Sequence, residues 1–192
     1  ANSVFLRPLA DPLNTLVYAE TGASVETVLV DGRVVVEHGR VTTVDANRIY
    51  TLGFSAGGLH TAQMSIRRSS YIAAAVPYSG GLIFGKMPAF EDPANKFSAM
   101  IFHGGQSDVV VVGFEQASKD YAAYLDTNDN FSFLCDHGGG HAIPDAQDSV
   151  MQFLMDHPYG TTPSPYMQGL PQGFPPYCSR TNSSSVRSGG SR

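Results

Sequence analysis

The chain has 192 residues, 42% hydrophobic and 15% charged, a balance that fits one main packed core and excludes fibrous and disordered classes. A formal net charge of −5, with no clustering of Lys and Arg, excludes nucleic acid and anionic membrane surfaces as expected partners. No run of 18 apolar residues occurs, so no membrane span is expected, and the opening ANSVFLRPLADP lacks the basic start and apolar centre of an export signal.

In chain order, residues 27–44 read TVLVDGRVVVEHGRVTTV. Two Val-rich runs flank Asp31-Gly32, a pair that tolerates the positive φ angles of a tight hairpin, and His38-Gly39 offers a second turn. A small β-meander without chemistry is expected. From Asn47 the pattern changes to strand and helix in alternation, which predicts a parallel sheet with crossover helices. The expected strands are RIYTLG (48–53), YIAAAVPYS (71–79), FSAMIFHGG (97–105) and FSFLCD (131–136). Helices are expected over 56–68 with Leu59, Ala62 and Ile66 inward, over 114–125 with Phe114, Ala117, Tyr121 and Leu125 inward, and over 145–156 with Val150, Phe153 and Leu154 inward. Residues 158–178 hold too much Pro and Gly for regular structure, and an aromatic wrap is expected there. The Ser-, Gly- and Arg-rich end, 179–192, reads as a disordered tail. Cys135 and Cys178 could close one bridge or stay free.

The sharpest motif is Gly53-Phe54-Ser55-Ala56-Gly57, a G-x-S-x-G pattern between an expected strand and an expected helix. A serine hydroxyl becomes a nucleophile when a tight turn exposes its oxygen, and small neighbours are expected there because larger side chains would clash. Ser55 is therefore the candidate nucleophile, and the backbone N–H of Ala56 is the candidate oxyanion donor. The serine needs a base, and the base needs a carboxylate that fixes its tautomer. Asp108, in the loop HGGQSDVVV at the carboxyl end of an expected strand, is the candidate acid. His141, which ends the glycine-rich loop DHGGGHAIP, is the candidate base, with His137 as its competitor. His103 and His60 read as packing or surface histidines. His103-Gly104-Gly105 looks like an oxyanion loop, but it follows the nucleophile where such a loop should precede it. No close-spaced metal-ligand motif is present, so neither a metal nor another cofactor is expected.

Residues 47–178, through NRIYTLGFSAGG, VPYSGG, HGGQSD, CDHGGGHAIP and HPYGTTPSPYMQGLPQGFPPYC, resemble the carboxyl-terminal half of the poly(3-hydroxybutyrate) depolymerase and feruloyl-esterase-like group of α/β-hydrolases. The resemblance implies hydrolysis of small or polymeric carboxylic esters through an acyl-enzyme on Ser55, with Asp108 and His141 as acid and base, in proteins that are usually exported. Residues 1–45 are similar to the terminal β-segment of chlorohydrolase- and deaminase-type amidohydrolases, without their metal-binding motifs. The chain thus reads as a chimera joined near 44–47: a β-segment over 1–46, a reduced α/β-hydrolase sheet of about four parallel strands over 47–157, then wrap and tail. In that family, earlier strands cover the nucleophile strand's edge and supply the second oxyanion donor. An edge left open here would invite the meander, or a second copy of the chain, to pair with it.

Two readings compete with a serine esterase. One is a catalytically silent fusion or fragment that keeps the triad residues by inheritance. The other is a binding or oligomerisation module whose groove is formed by Tyr159, Tyr166, Phe174 and Tyr177.

Overall fold

A computed structural model of the chain describes residues 25–83 and 88–181. The chain separates into two units, residues 1–45 and 46–192. In the first, strands β1 (Thr27–Val30), β2 (Arg33–Glu37) and β3 (Arg40–Val41) form an antiparallel sheet in the order β1-β2-β3. Its turns sit at Asp31-Gly32 and His38-Gly39, where all four residues have positive φ between 50° and 73°. Residues 1–24, part of the segment whose resemblance is to amidohydrolases, lie outside the described residues.

The second unit is an α/β fold. Strands β4 (Tyr50–Phe54), β5 (Ala74–Tyr78), β6 (Ser98–His103) and β7 (Ser132–Asp136) run parallel in sequential order. Helix α1 (Ala56–Arg67) connects β4 to β5, α2 (Phe114–Thr127) connects β6 to β7, and α3 (Gln147–Asp156) follows β7. Alternation along the strands sorts the core into two layers. Ala75, Ala99 and Ile101 face Ala62 and Ile66 of α1 and Tyr121, Ala122 and Leu125 of α2. Ala74, Val76, Met100, Phe102 and Phe133 face Val150, Phe153 and Leu154 of α3. Burial of all six residues of β6 follows from this position: a strand covered on both faces has no solvent side.

Two details depart from expectation. The inward stripe of α1 is centred on Gly58, Thr61, Ala62, Ser65 and Ile66, and Leu59 is only half-buried. Residues 178–180, which the sequence divides between wrap and tail, form a fifth strand, β8 (Cys178–Arg180), antiparallel to β7. A disulfide joins Cys135 to its register partner Cys178, so the short strand is held covalently as well as by the ladder. The aromatic rings of the segment before β8 lie against the core. Tyr166 is 4% exposed, and Phe174 and Tyr177 pack against the same core. Tyr166 meets Phe174 edge-on at 5.3 Å within the core, while the partly buried Phe174 and Tyr177 also line a cavity of about 520 Å³ with residues 145–149, Gly173, Pro175 and Pro176. Burial of Tyr166 takes one of the four rings of the binding-module reading out of any shared groove.

Among the described residues, no helix is long and apolar enough to cross a membrane, and no group of three or more His, Cys, Asp or Glu side chains could hold a metal ion.

Candidate active site

Ser55 lies between β4 and α1 with φ 59° and ψ −120°, a region that a non-glycine residue enters only when its surroundings enforce it. Two features enforce it here. The Ser55 N–H donates to the Tyr78 carbonyl at 3.0 Å, which ties the turn to the end of β5. Around it, backbone crowds against glycine: a Cβ on Gly53 would lie 2.5 Å from the Gly57 carbonyl oxygen, and one on Gly58 would lie 2.5 Å from the Tyr78 oxygen. Gly57 differs, because a Cβ there meets nothing within 4 Å. The expected clash at the second glycine of the motif therefore belongs to the next position, Gly58. The helix runs inward at Gly58 and outward at Gly57, and only the inward residue meets β5.

The turn places the Ser55 hydroxyl against an imidazole. His141 Nε2 lies 2.9 Å from Ser55 Oγ, and His141 Nδ1 lies 2.8 Å from Asp108 Oδ1. Asp108 is fully buried, and its other oxygen, Oδ2, accepts the Gly104 N–H at 2.9 Å. A buried carboxylate with both oxygens bonded is held in one orientation, and the Nδ1 hydrogen bond directs the neutral ring's free lone pair, on Nε2, toward the serine. The loops carrying Asp108 and His141 are tied by backbone. The Gly140 N–H donates to the Gly104 carbonyl at 3.0 Å, and a Cβ on Gly104 would lie 1.9 Å from the Gly140 oxygen. Only glycine at position 104 allows that approach.

Two rings flank His141, and sequence reasoning missed both as site residues. Phe54 lies 4.7 Å away and tilted by 32°, while Phe114 lies 4.8 Å away and stacked at 23°. Phe114 was legible only as a member of the inward stripe of its helix, where it is 3% exposed. Phe54 occupies a variable position of the motif, so no pattern singled it out. Between them they restrict the swing of the imidazole, which hydrogen bonds at its two nitrogens alone would leave free to rock.

The other histidines stand apart from this relay. His137 Nδ1 accepts the Gly139 N–H at 3.2 Å, and its ring meets Tyr177 edge-on, so it contacts neither Ser55 nor Asp108. His103 is 2% exposed at the end of β6. Burial pushes its imidazole below the ordinary range, against the opposing pull of Asp136 at 3.7 Å, and its Nδ1 accepts the Gly105 N–H. His60 is exposed on α1. Beside the elbow, Tyr78 stacks on Phe102 at 4.8 Å, and burial followed by the neighbouring Tyr177 pushes its phenol up to about 12.

Ala56 opens α1, where the first backbone N–H groups have no intrahelical acceptor. Its N–H is thus available to an oxygen beside Ser55. On the far side, β4 stands at the end of its sheet order, so among the described strands it pairs only with β5.

No protein-family model matches this sequence, and no curated protein does. Solved structures do. Native pOPH aligns with a TM-score of 0.59 and 22% identity, over 71% of this chain and 53% of its own. A serine-to-alanine variant of pOPH in complex with pNPB gives a TM-score of 0.59 and 19% identity, over 71% and 54%. Native sOPH gives a TM-score of 0.54 and 18% identity, over 72% and 54%. The chain spans about half the length of these proteins, and at such identities the likeness extends to the fold alone, an α/β sheet of the hydrolase-like kind.

Proposed function

We propose that the chain is a serine carboxylic-ester hydrolase that works through an acyl-enzyme, as its resemblance to poly(3-hydroxybutyrate) depolymerases and feruloyl esterases implies. The observation that carries the reading is the continuous relay from Ser55 Oγ through His141 to the buried Asp108. Ser55 Oγ attacks the ester carbonyl carbon while His141 Nε2 takes the hydroxyl proton. The carbonyl π electrons move to oxygen, which the Ala56 N–H stabilises. Collapse reforms the carbonyl and expels the alcohol, which leaves with the proton from His141. Water then attacks the acyl-enzyme by the same steps and frees the acid. Asp108 stays ionised and steadies the imidazolium. The alignment of pOPH in complex with pNPB, with a serine replaced by alanine, accords with serine chemistry on this fold.

The placement of β4 at the end of its sheet favours a second reading, in which the relay persists but turnover is feeble. In the family resembled, the second oxyanion donor comes from a loop after an earlier strand, and loss of one donor costs on the order of 10²–10³ in rate. Covalent labelling by a fluorophosphonate separates relay from turnover, because it needs an activated serine and an open approach but no hydrolysis. Wild type is expected to label and Ser55→Ala is not. Release of p-nitrophenol from p-nitrophenyl acetate then measures turnover. Equal release by wild type and Ser55→Ala removes the enzyme reading.

A further inference from the structure

At the amino-terminal end of β7 lies a cleft of about 280 Å³ whose walls include Asp126, Asp129, Asn130, Ser132 and Arg180. Ser55, Asp108 and His141 all follow the carboxyl ends of parallel strands, so the cleft sits at the other end of β7, a strand roughly 16 Å long. Its walls are fixed by bonds of their own. Ser132 Oγ lies 3.0 Å from Thr181 Oγ1, and the Arg180 guanidinium donates to the Met167 carbonyl at 3.1 Å. Ser164, also in the lining, is held by His157 Nε2 at 2.7 Å and by the Tyr166 N–H at 3.1 Å.

The polar groups of the cleft are short of partners. Among the described residues, no hydrogen bond or ion pair reaches the carboxylate of Asp126 or of Asp129. Lys96 lines the same cleft and donates to the Asn128 carbonyl at 2.8 Å, so it and Arg180 are each tied to a backbone oxygen and to no described carboxylate. Asn130 is 5% exposed; its amide N–H donates to the Phe97 carbonyl at 2.9 Å, and its Oδ1 is buried without a partner. A buried acceptor left without a donor is costly, and native structures seldom leave one so.

Two carboxylates and two cations give this lining no net formal charge, so a lone anion or cation meets repulsion as well as attraction. A hydroxyl suits it better, because one oxygen can donate to a carboxylate and accept from an ammonium or guanidinium at once. Pro163 and Met167 add apolar surface beside these groups, Met167 being 38% exposed. The volume falls just below the roughly 300–1,000 Å³ of pockets for drug-sized ligands, which leaves room for one small ring.

We propose that this cleft binds a single neutral sugar unit, a pyranose whose hydroxyls bridge Asp126 and Asp129 to Lys96 and Arg180 while its C–H face lies on Pro163 and Met167. The innermost hydroxyl supplies the donor that Asn130 Oδ1 lacks. The site stands apart from the relay and does not rest on the esterase reading: it anchors the chain to a saccharide whatever Ser55 does.

The test titrates the whole isotope-labelled chain with methyl β-D-glucopyranoside and methyl β-D-xylopyranoside and follows backbone and side-chain amide resonances. Glycine, sodium acetate and cyclohexanol are the zwitterionic, anionic and apolar comparators. Asp126→Ala removes one carboxylate from a helical position where alanine is favoured, so the fold should persist, as a thermal melt verifies. Asp129→Asn gives a second variant, because asparagine tolerates the φ of 59° found there. Asp120→Ala, on the same helix but outside the lining, is the control. The expected result is saturable shifts centred on the Asn130 side-chain amide and on Ser132, with a Kd on the order of 1 mM for at least one pyranoside. Asp126→Ala should weaken that binding about tenfold and Asp129→Asn severalfold, while Asp120→Ala stays within about twofold of wild type. No saturable shift at tens of millimolar of either pyranoside, shifts centred elsewhere, or unchanged affinity in both cleft variants overturns the sugar site. Tighter binding of glycine, acetate or cyclohexanol than of either pyranoside overturns the assignment to a neutral polyhydroxylated ligand.

Discussion

The relay depends on a carboxylate that water does not reach. Asp108 spends one oxygen on His141 and the other on a backbone N–H, so replacing it with asparagine keeps the shape but offers the ring an amide in place of the charge. The asparagine can present N–H to Nδ1 and select the wrong tautomer. Under the esterase reading, Asp108→Asn is therefore expected to lower kcat by about 10⁴ with little change in KM. Steady-state kinetics on p-nitrophenyl acetate check this, and a loss confined to KM would contradict the assigned role. His157 gives a second residue-scale expectation, for stability. It is fully buried, with Nδ1 2.7 Å from the Phe153 carbonyl and Nε2 2.7 Å from Ser164 Oγ, as a neutral ring bonded at both nitrogens requires. Burial lowers its pKa from 6.5, outweighing the upward pull of that carbonyl and of Asp156. Below about pH 6.5 the unfolded chain takes up a proton that the native ring resists. Stability is therefore full above that pH and declines as pH falls through it toward the lower native value. The drop in melting temperature between pH 7 and pH 5 should shrink in His157→Gln, and equal drops would rule out this ring as a contributor.

At the scale of elements, the strand-to-helix elbow shows which glycines the fold requires. Gly57→Ala is expected to be tolerated and to stabilise α1 by up to about 1 kcal/mol, because the site is open and helical and alanine outranks glycine there. Gly58→Ala drives a methyl into the Tyr78 carbonyl and should destabilise the fold and disturb the turn at Ser55. Thermal melts of the pair settle the contrast, and equal melting temperatures would refute it. The regular elements were legible in the sequence because periodicity reports which face is buried. All four inward residues expected of α2, Phe114, Ala117, Tyr121 and Leu125, are buried. The short apolar runs of β6 and β7 read as strands because turn residues bound them and they are too short for helices. The gap between Gly57 and Gly58 was not legible, since it depends on which side of a helix meets the neighbouring strand. Nor was the pairing of Phe54 and Phe114 about His141, which brings together residues 60 positions apart.

For the molecule as a whole, the least legible feature was the fifth strand, and the disulfide explains why. Residues 178–180 carry no β-rich pattern, and three residues make too little ladder to hold a strand in water. Their order comes from Cys178, bonded to Cys135 on the buried strand β7, and from the Arg180 guanidinium lying 5.6 Å from the Phe131 ring. The bridge spans 43 positions, for which the loss of chain entropy in the unfolded state stabilises the fold by about 4 kcal/mol. Cutting it should release β8 and loosen the preceding wrap, leaving the edge of β7 open to pairing with other chains. Cys178→Ser is therefore expected to lose about 2–4 kcal/mol in urea unfolding and to show faster amide exchange over Phe133–Cys135, while the helices α1 and α2 on the opposite face stay protected. Unfolding midpoints that coincide for the two proteins would mean that the ladder and the aromatic packing hold the strand unaided.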